Sequence, residues 1–181
     1  MPPHDLPELT DSALIRRFLD GDEGAFRALH ERHTPRLRMT VLRLLGPRRD
    51  DADDIVQDTW LAACRGMHAF NGTAQFSSWL TTIGIRAAWT RFPVEREAGP
   101  EALNGIAAPS VPAAATVIDL ERALERLPDR QRAVVVLHDV EGFTHDEIAG
   151  QLAMTAGNSK VTLFRARHAL RRLLTDGAFH D

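Results

Sequence analysis

Apolar residues recur at spacings of three and four along most of the chain, the period of an amphipathic α-helix. The clearest example is the segment 51–67, in which one face collects Ala52, Ile55, Val56, Thr59, Trp60 and Ala63. No segment shows a convincing alternation of period two, which a half-buried strand requires. The sequence therefore predicts an all-α fold.

Four further helices are predicted in the N-terminal half. Asp11 caps the first, which turns Leu14, Ile15, Phe18 and Leu19 inward and ends at Gly21. A second begins near Asp22, with Phe26 and Leu29 on one face, and a third carries Leu37, Val41, Leu42 and Leu45 before it stops at Gly46–Pro47. After a polar turn at 71–73, another helix runs from about Phe76 to Arg91, with Trp79, Leu80, Ile83 and Ala87 inward.

Residues 93–117 interrupt this pattern. They contain four prolines, two glycines and many alanines, with little hydrophobic periodicity, as is typical of a flexible linker. The linker divides the chain into two parts, each within the size range that can fold independently.

The C-terminal part reads as a helix-turn-helix domain. Helices are predicted at 118–127, about 129–139, 144–152 and about 156–174. The run of valines at 134–136 looks like a strand, but its flanks favour a helix with Pro128 in its first turn. Thr144 and Glu147 form a capping box at the start of a short helix. A tight turn at 154–155 then leads into a long basic helix, the arrangement found in DNA-binding helix pairs.

The net charge of −3 hides a segregated distribution. Residues 36–49 hold five arginines and no acid, whereas residues 50–58 hold five aspartates and no base. Residues 119–147 sum to −4 and residues 158–174 sum to +5. Solvated helix faces would explain any one of these runs, but four of them favour a protein that binds a protein with one face and a phosphate backbone with another.

Several classes of function are disfavoured. No stretch approaches the ~20 apolar residues that span a bilayer, and residues 1–11 resemble no signal peptide, so we expect a cytoplasmic protein without membrane insertion. The lone Cys64 allows no internal disulfide. No nucleophile motif or phosphate-binding glycine loop appears, and His30 and His33 are better interpreted as surface or core residues than as metal ligands. We therefore expect no catalysis, no cofactor and no metal.

The start of the last helix is the candidate DNA-reading element. Small or hydrogen-bonding residues there can approach base edges in the major groove, and arginines further along can meet phosphates. The alternative is a helical hairpin with a solvated basic end, although a second helix of net charge +5 favours DNA.

The C-terminal sequence resembles the DNA-binding fourth domain of bacterial RNA polymerase sigma factors. The resemblance rests on LPDRQRAVVVLHDVEGFTHDEIAGQL and on the K-x-x-L-x-RAR-x-x-LR pattern that follows it. In the N-terminal half, DADDIVQDTWLAA resembles the polymerase-binding helix of the second sigma domain, and FNGTAQFSSWLTTIGIRAAWTRF resembles its melting and minus-10 segment. Two such domains with neither a first nor a third match the extracytoplasmic-function (ECF) group. The expected layout is sigma domain 2 at 10–92, a linker at 93–117 and sigma domain 4 at 118–176.

This resemblance implies an alternative sigma factor that directs core RNA polymerase to specific promoters and assists promoter melting. The implied partners are the beta-prime clamp helices and the beta flap of core polymerase, promoter DNA and an anti-sigma factor. The implied core-binding residues are Asp51, Asp53, Asp54, Gln57 and Asp58. Aromatic residues at 70, 76 and 79 lie where family members stabilise unpaired bases, and the implied minus-10 contacts are Phe70, Asn71, Gly72, Thr73, Arg86 and Arg91. The implied minus-35 contacts are Gly157, Asn158, Ser159, Lys160, Arg165, Arg167 and Arg171.

Three positions depart from the family pattern. Members of the group commonly carry Asn where this chain has Arg86, Asp where it has Thr90, and Arg where it has Thr162. These departures raise an alternative hypothesis, a sigma-like decoy that binds an anti-sigma factor without reading promoters. A dimeric two-domain regulator is a further alternative, but no ligand-pocket or zipper pattern supports it.

Overall fold

The computed structural model describes residues 9–91 and 116–175, and all regular secondary structure within those ranges is helical. The main helices are α1 Asp11–Leu19, α2 Glu23–Leu45, α3 Ala52–Gly66, α4 Phe76–Arg91, α5 Val117–Arg126, α6 Asp129–Val135, α7 His145–Leu152 and α8 Ala156–Thr175. Short 3₁₀ turns occur at Arg49–Asp51 and Met67–Ala69, and a π-helical turn occurs at Val136–Val140. The prediction of an all-α fold is confirmed. The predicted linker lies outside the described residues except for its last two, Thr116 and Val117, which cap and begin α5.

The chain divides into two compact units. Of the described residues, the first unit contains 9–41 together with Asp50–Ala87, and the second contains Leu42–Arg49 together with 88–91 and 116–175. Each unit has its own buried apolar core.

The first two helices differ from the prediction in three respects. Thr10, and not Asp11, caps α1, with its hydroxyl accepting from the Ala13 amide at 3.3 Å. Leu19 was expected inside but is 49% exposed. The second and third predicted helices are one continuous α2, which contains Pro35. The proline removes one backbone hydrogen bond, but it lies on the exposed side and leaves the buried stripe of α2 uninterrupted.

Helices α3 and α4 supply much of the core of the first unit. All six inward residues predicted for α3 are buried. In α4, the predicted Leu80 is buried, whereas Trp79, Ile83 and Ala87 are half-buried at the edge of the core. The buried stripe of α4 is rotated toward Phe76, Thr81 and Ile85. Apolar residues occur all round this helix, so their spacing alone does not select the inner face.

The core of the second unit is built on α6 and α8. Val134, Val135, Val136 and Leu137 are all buried, so the valine run is helical as predicted. Pro128 lies at the N-cap of α6, one position before the expected first turn. The capping box of α7 is present, because the Thr144 hydroxyl accepts from the Glu147 amide and the Glu147 carboxylate accepts from the Thr144 amide.

A buried guanidinium, that of Arg132, organises the polar interior of the second unit. Arg132 is 1% exposed and donates to the carbonyl oxygens of Leu127 at 2.8 Å and Leu44 at 3.1 Å. It also donates to the carboxylate of Asp129 at 2.5 Å. Gly46 has a positive φ of 58°, and a Cβ there would lie 2.6 Å from the Arg132 Cζ atom. The close approach of the guanidinium therefore requires glycine at this position.

Candidate functional site

The acidic residues of α3 form an exposed face opposite the buried one. Asp53, Asp54, Gln57 and Asp58 are exposed and Asp51 is half-buried. The same helical period that buries Ile55 and Trp60 turns these residues outward. Arg38 bonds Asp53 at 2.7 Å, and this hydrogen bond raises the pKa of the arginine. The structure thus brings the predicted core-binding residues together on one side of a helix.

One residue of this face was not predicted. Leu61 is 49% exposed and lies one turn after Gln57 and Asp58. Its apolar side chain adds area that a protein partner can bury. The signal was available in the sequence, because Leu61 falls outside the spacing of the buried residues of α3.

A pocket of about 420 Å³ adjoins the loop between α3 and α4. Its lining residues are Asp11, Ser12, Phe70, Gly72, Thr73, Ala74, Gln75, Phe76 and Ser77. The Asn71 carboxamide oxygen accepts from the Thr73 amide at 3.1 Å and from the Thr73 hydroxyl at 2.8 Å. Gly72 has a φ of +72°, which favours glycine. Three of the four predicted residues at 70–73 therefore line the pocket, and Asn71 fixes the turn that shapes it.

Aromatic rings form one side of this pocket. Phe76 is 3% exposed, whereas Phe70 and Trp79 are half-buried. The Phe70 ring lies 5.6 Å from that of Phe76 and 5.2 Å from that of Trp79, between ring centroids. Since Phe76 is held within the core, Phe70 is the ring with surface left to contact a ligand.

Two pocket residues come from α1 and were not predicted. Asp11 and Ser12 line the pocket at the start of α1. The Asp11 carboxylate accepts from Arg32 at 2.6 Å and lies 3.1 Å from the Nε2 atom of His33. These two residues are separated from the loop at 70–77 by nearly 60 positions in sequence. Local sequence patterns therefore do not predict that they lie close together.

The two arginines predicted for minus-10 contact do not line the pocket. Arg86 and Arg91 are on the exposed side of α4. Arg86 lies ten residues after Phe76, which corresponds to about 15 Å along a helix axis.

The predicted DNA-reading residues of α8 are distributed between surface and interior. Gly157, Lys160 and Arg171 are exposed, and Asn158, Arg165 and Arg167 are half-buried. Ser159 is 0% exposed, and its hydroxyl lies 2.9 Å from the Nδ1 atom of His145. This burial argues against a direct base contact by Ser159 in the described conformation. Thr162 is also buried, at 4% exposure.

Arg167 already has an acidic partner. It donates two hydrogen bonds to the Asp139 carboxylate, at 2.9 and 2.5 Å. Burial raises the pKa of Asp139, but the hydrogen bonds from Arg167 and His138 lower it further than burial raises it. The hydrogen bond to Asp139 raises the pKa of Arg167. A phosphate that binds Arg167 therefore has to share it with Asp139 or displace Asp139.

Comparisons with known proteins match two separate stretches of the sequence. Residues 29–93 match the family model described as Sigma-70 region 2, and residues 118–170 match that described as Sigma-70, region 4. The ECF RNA polymerase sigma factor SigM of Mycobacterium tuberculosis (strain ATCC 25618 / H37Rv) is 36% identical over 169 residues, which cover 92% of this chain and 86% of that protein. The chain belongs to the ECF sigma factors.

Other relatives support this assignment. The ECF RNA polymerase sigma-E factor of Escherichia coli (strain K12) is 25% identical over 180 residues, covering 90% of this chain and 93% of that protein. The solved structure of the sigma factor RpoE in complex with the anti-sigma factor NepR from Bartonella quintana has a TM-score of 0.61 at 25% identity. It covers 84% of this chain and 98% of the matched one.

As an ECF sigma factor, the protein is an alternative sigma factor that directs RNA polymerase to promoters, and its partners are core polymerase and promoter DNA. Within residues 9–91 and 116–175, no helix is both long enough and apolar enough to cross a membrane. In the same part of the chain, no three His, Cys, Asp or Glu side chains are grouped closely enough to hold a metal ion.

Proposed function

We propose that this sigma factor divides initiation among three surfaces: the exposed face of α3 for core polymerase, the 70–77 pocket for an unpaired promoter base, and the start of α8 for the minus-35 element. The pocket carries the proposal, because a concave site beside aromatic rings on a DNA-binding protein suits a base removed from its stack.

The α3 surface suits a protein partner of opposite charge. Asp53, Asp54 and Asp58 are exposed on it beside Gln57 and the apolar Leu61. Acidic side chains at the edge of an interface accelerate association and fix orientation, whereas a central apolar residue supplies buried area. We assign this face to the clamp helices of core polymerase.

The 70–77 pocket suits promoter melting. Stacking of a base on an aromatic ring contributes about 1–3 kcal/mol, which offsets much of the cost of unpairing it. Phe70 has exposed ring surface for this purpose, and Thr73 and Gln75 supply hydrogen-bonding groups in the same pocket. Arg86 and Arg91, on the exposed side of α4, are assigned to the DNA backbone near the minus-10 element.

Two solvent-accessible residues at the start of α8, the half-buried Asn158 and the exposed Lys160, suit the major groove. Asn158 and Lys160 are close to the N-terminal end of the helix, where helix-turn-helix proteins contact base edges. Arg165 and Arg171 follow at positions suited to phosphates. These contacts, together with an anti-sigma partner of the kind bound by the Bartonella quintana RpoE, complete the set of interactions that we propose.

The proposed role needs no catalysis by the chain itself, because polymerase supplies the chemistry of RNA synthesis. Since the polymerase and the chromosome share a compartment, we assign the protein to the cytoplasm. Its near-neutral net charge predicts weak DNA binding by the isolated chain, because neutralisation of phosphates by basic side chains supplies most non-specific affinity.

The test begins with the whole chain and core polymerase. Polymerase-associated binding sites are mapped across the genome with the protein overproduced, and the sites found are then used for run-off transcription. We expect specific transcripts that require both this chain and core enzyme. Tight core binding without promoter opening at any mapped site contradicts the proposal and supports the decoy hypothesis.

A variant pair then tests the pocket. Phe70→Ala should reduce promoter opening, measured with a fluorescent base analogue, by about tenfold while affinity for core polymerase is retained. Phe18→Ala is the matched control, because Phe18 is also half-buried in the first unit but does not line the pocket. Equal loss of opening in both variants assigns the effect to folding and removes the pocket from the mechanism.

A further inference from the structure

Two histidines at the helix-turn-helix are stacked on each other and take no part in the functions assigned above. The rings of His138 and His145 are 4.6 Å apart between centroids and inclined by 26°. His138 lies in the π-helical turn and His145 is the first residue of α7. The Nδ1 atom of His138 is 2.7 Å from the carboxylate of Asp139, which in turn holds Arg167 of α8.

The second histidine is joined directly to the DNA-reading helix. The Nδ1 atom of His145 lies 2.9 Å from the hydroxyl oxygen of Ser159, and Ser159 is fully buried in the first turns of α8. Its neighbours in sequence are Asn158 and Lys160, the residues assigned to the major groove. The bond therefore connects the N-terminal residue of α7 to the part of α8 that faces DNA.

We propose that His145 is a positioning residue for minus-35 recognition, holding the start of α8 through Ser159, and that the uncharged imidazole is the form that performs this role. The proposal rests on the assignment of α8 to the minus-35 element. It gives Ser159 an indirect part in recognition in place of the direct base contact predicted from sequence.

The groups around His145 disfavour a proton on its ring. From α8 it faces the cationic Lys160 and Arg167, and from the π-helical turn it faces His138. On its own helix, Asp146 opposes these effects, and Asp139 lies beyond His138 and is already paired with Arg167. Burial, followed by the charges of His138, Lys160 and Arg167, lowers the pKa of His145 from its ordinary value of 6.5.

The sign of the pH dependence follows from this direction. When a histidine has a lower pKa in the folded protein than in the unfolded chain, the stability it contributes is complete above the unfolded value. That stability is lost as the pH falls below about 6.5 toward the pKa of the histidine in the folded protein. Acidification should therefore loosen the α7–α8 connection and weaken minus-35 binding, with little change between pH 7 and 8.

The primary test compares holoenzyme variants on minus-35 promoter DNA by fluorescence anisotropy. At pH 7.5, His145→Ala and Ser159→Ala should each weaken binding about fivefold, the equivalent of one hydrogen bond. His145→Asn places a carboxamide near the position of Nδ1 and should recover most of the affinity lost by His145→Ala. Because this carboxamide does not titrate, the ratio of the promoter-DNA affinity of the His145→Asn holoenzyme to that of wild type should rise as the pH is lowered to 5.5.

The matched control is His168→Asn. His168 is an exposed histidine on α8, the helix that carries Ser159, so its replacement should leave both promoter affinity and pH profile at the wild-type values. The proposal is overturned if Ser159→Ala binds as well as wild type at pH 7.5. It is also overturned if the wild-type and His145→Asn profiles are parallel.

A second measurement needs no promoter. In NMR spectra of the full chain, the His145 ring should titrate below pH 6.5, with the Ser159 amide signal following the same transition. A titration at or above 6.5 contradicts the inference even if the protein initiates transcription normally. Conversely, a low titration point together with an inactive holoenzyme contradicts the proposed function and leaves the His145–Ser159 connection in place.

Discussion

Helices α3 and α8 both carry partner-binding residues predicted from sequence, but they present them differently. The predicted residues of α3 and its N-cap Asp51 are charged or amide side chains, and the four on the helix itself are exposed. On α8 the predicted set includes the buried Ser159, and Arg167 is paired with Asp139 of the same chain. On these two helices the charged side chains remain accessible to solvent, whereas a small hydroxyl residue fits either environment and its location depends on packing partners.

The largest effect is expected from removing the more deeply buried of the two buried arginines of the second unit, Arg132. Arg132→Met should lower the free energy of unfolding of that unit by about 3 kcal/mol, because several carbonyl oxygens and Asp129 lose a buried donor. Chemical denaturation measures this loss. Arg122→Met, at an exposed position of α5, is the control and should change stability by less than about 0.5 kcal/mol. Equal effects of the two substitutions would mean that the Arg132 bonds add nothing.

Introducing arginine on each helix tests the comparison directly. Thr162→Arg should destabilise the second unit by about 2 kcal/mol, because it forces a guanidinium into a site that is 4% exposed. Gln57→Arg, on the exposed face of α3, should leave stability unchanged but reduce the association rate with core polymerase, because it adds a positive charge to an acidic surface. Denaturant unfolding and stopped-flow association are the measurements. A stable Thr162→Arg protein would show that this side of α8 is not interior in solution.

The ion pair between Asp139 and Arg167 should make the free energy of unfolding depend on pH in the acidic range. Because the pKa of Asp139 is held below its ordinary value of 3.8, the stability it contributes is complete above that pH. Asp139→Asn should therefore cost about 1 kcal/mol at pH 7, and the difference from wild type should disappear as the pH falls well below 3.8. Urea unfolding at several pH values measures it. Asp20→Asn, at an exposed position, serves as the control, and a pH-independent cost of Asp139→Asn would contradict the ion-pair explanation.

The smallest effects are expected at two turns with left-handed backbone. Ala153, between α7 and α8, has a φ of 49°, and Gly72, in the pocket loop, has a φ of 72°. Ala153→Gly should stabilise the second unit by about 1 kcal/mol, and Gly72→Ala should destabilise the first by about the same amount. No atom lies within 4 Å of a Cβ added at Gly72, so backbone strain alone would act there. Thermal unfolding should show shifts of opposite sign.

The sequence alone predicts buried faces and helix caps correctly where hydrophobic spacing and residue chemistry agree. The buried face of α3 and the capping box of α7 were both predicted, because each depends on residues within one or two turns. The inner face of α4 was predicted imperfectly because that helix is apolar on several sides. Local spacing does not predict that Asp11 lines the pocket or that His145 contacts Ser159. Both depend on tertiary packing of residues that are distant in sequence.

The π-helical turn at 136–140 has a consequence for how this domain can change in evolution. A π turn amounts to a helix that has accepted one extra residue. Here it lets adjacent residues serve different neighbours: His138 stacks on α7 while Asp139 holds α8. Substitution of either residue removes one of these contacts and leaves the backbone register in place, whereas deletion of a single residue would shift both contacts out of register together. The segment should therefore vary in side chain far more readily than in length.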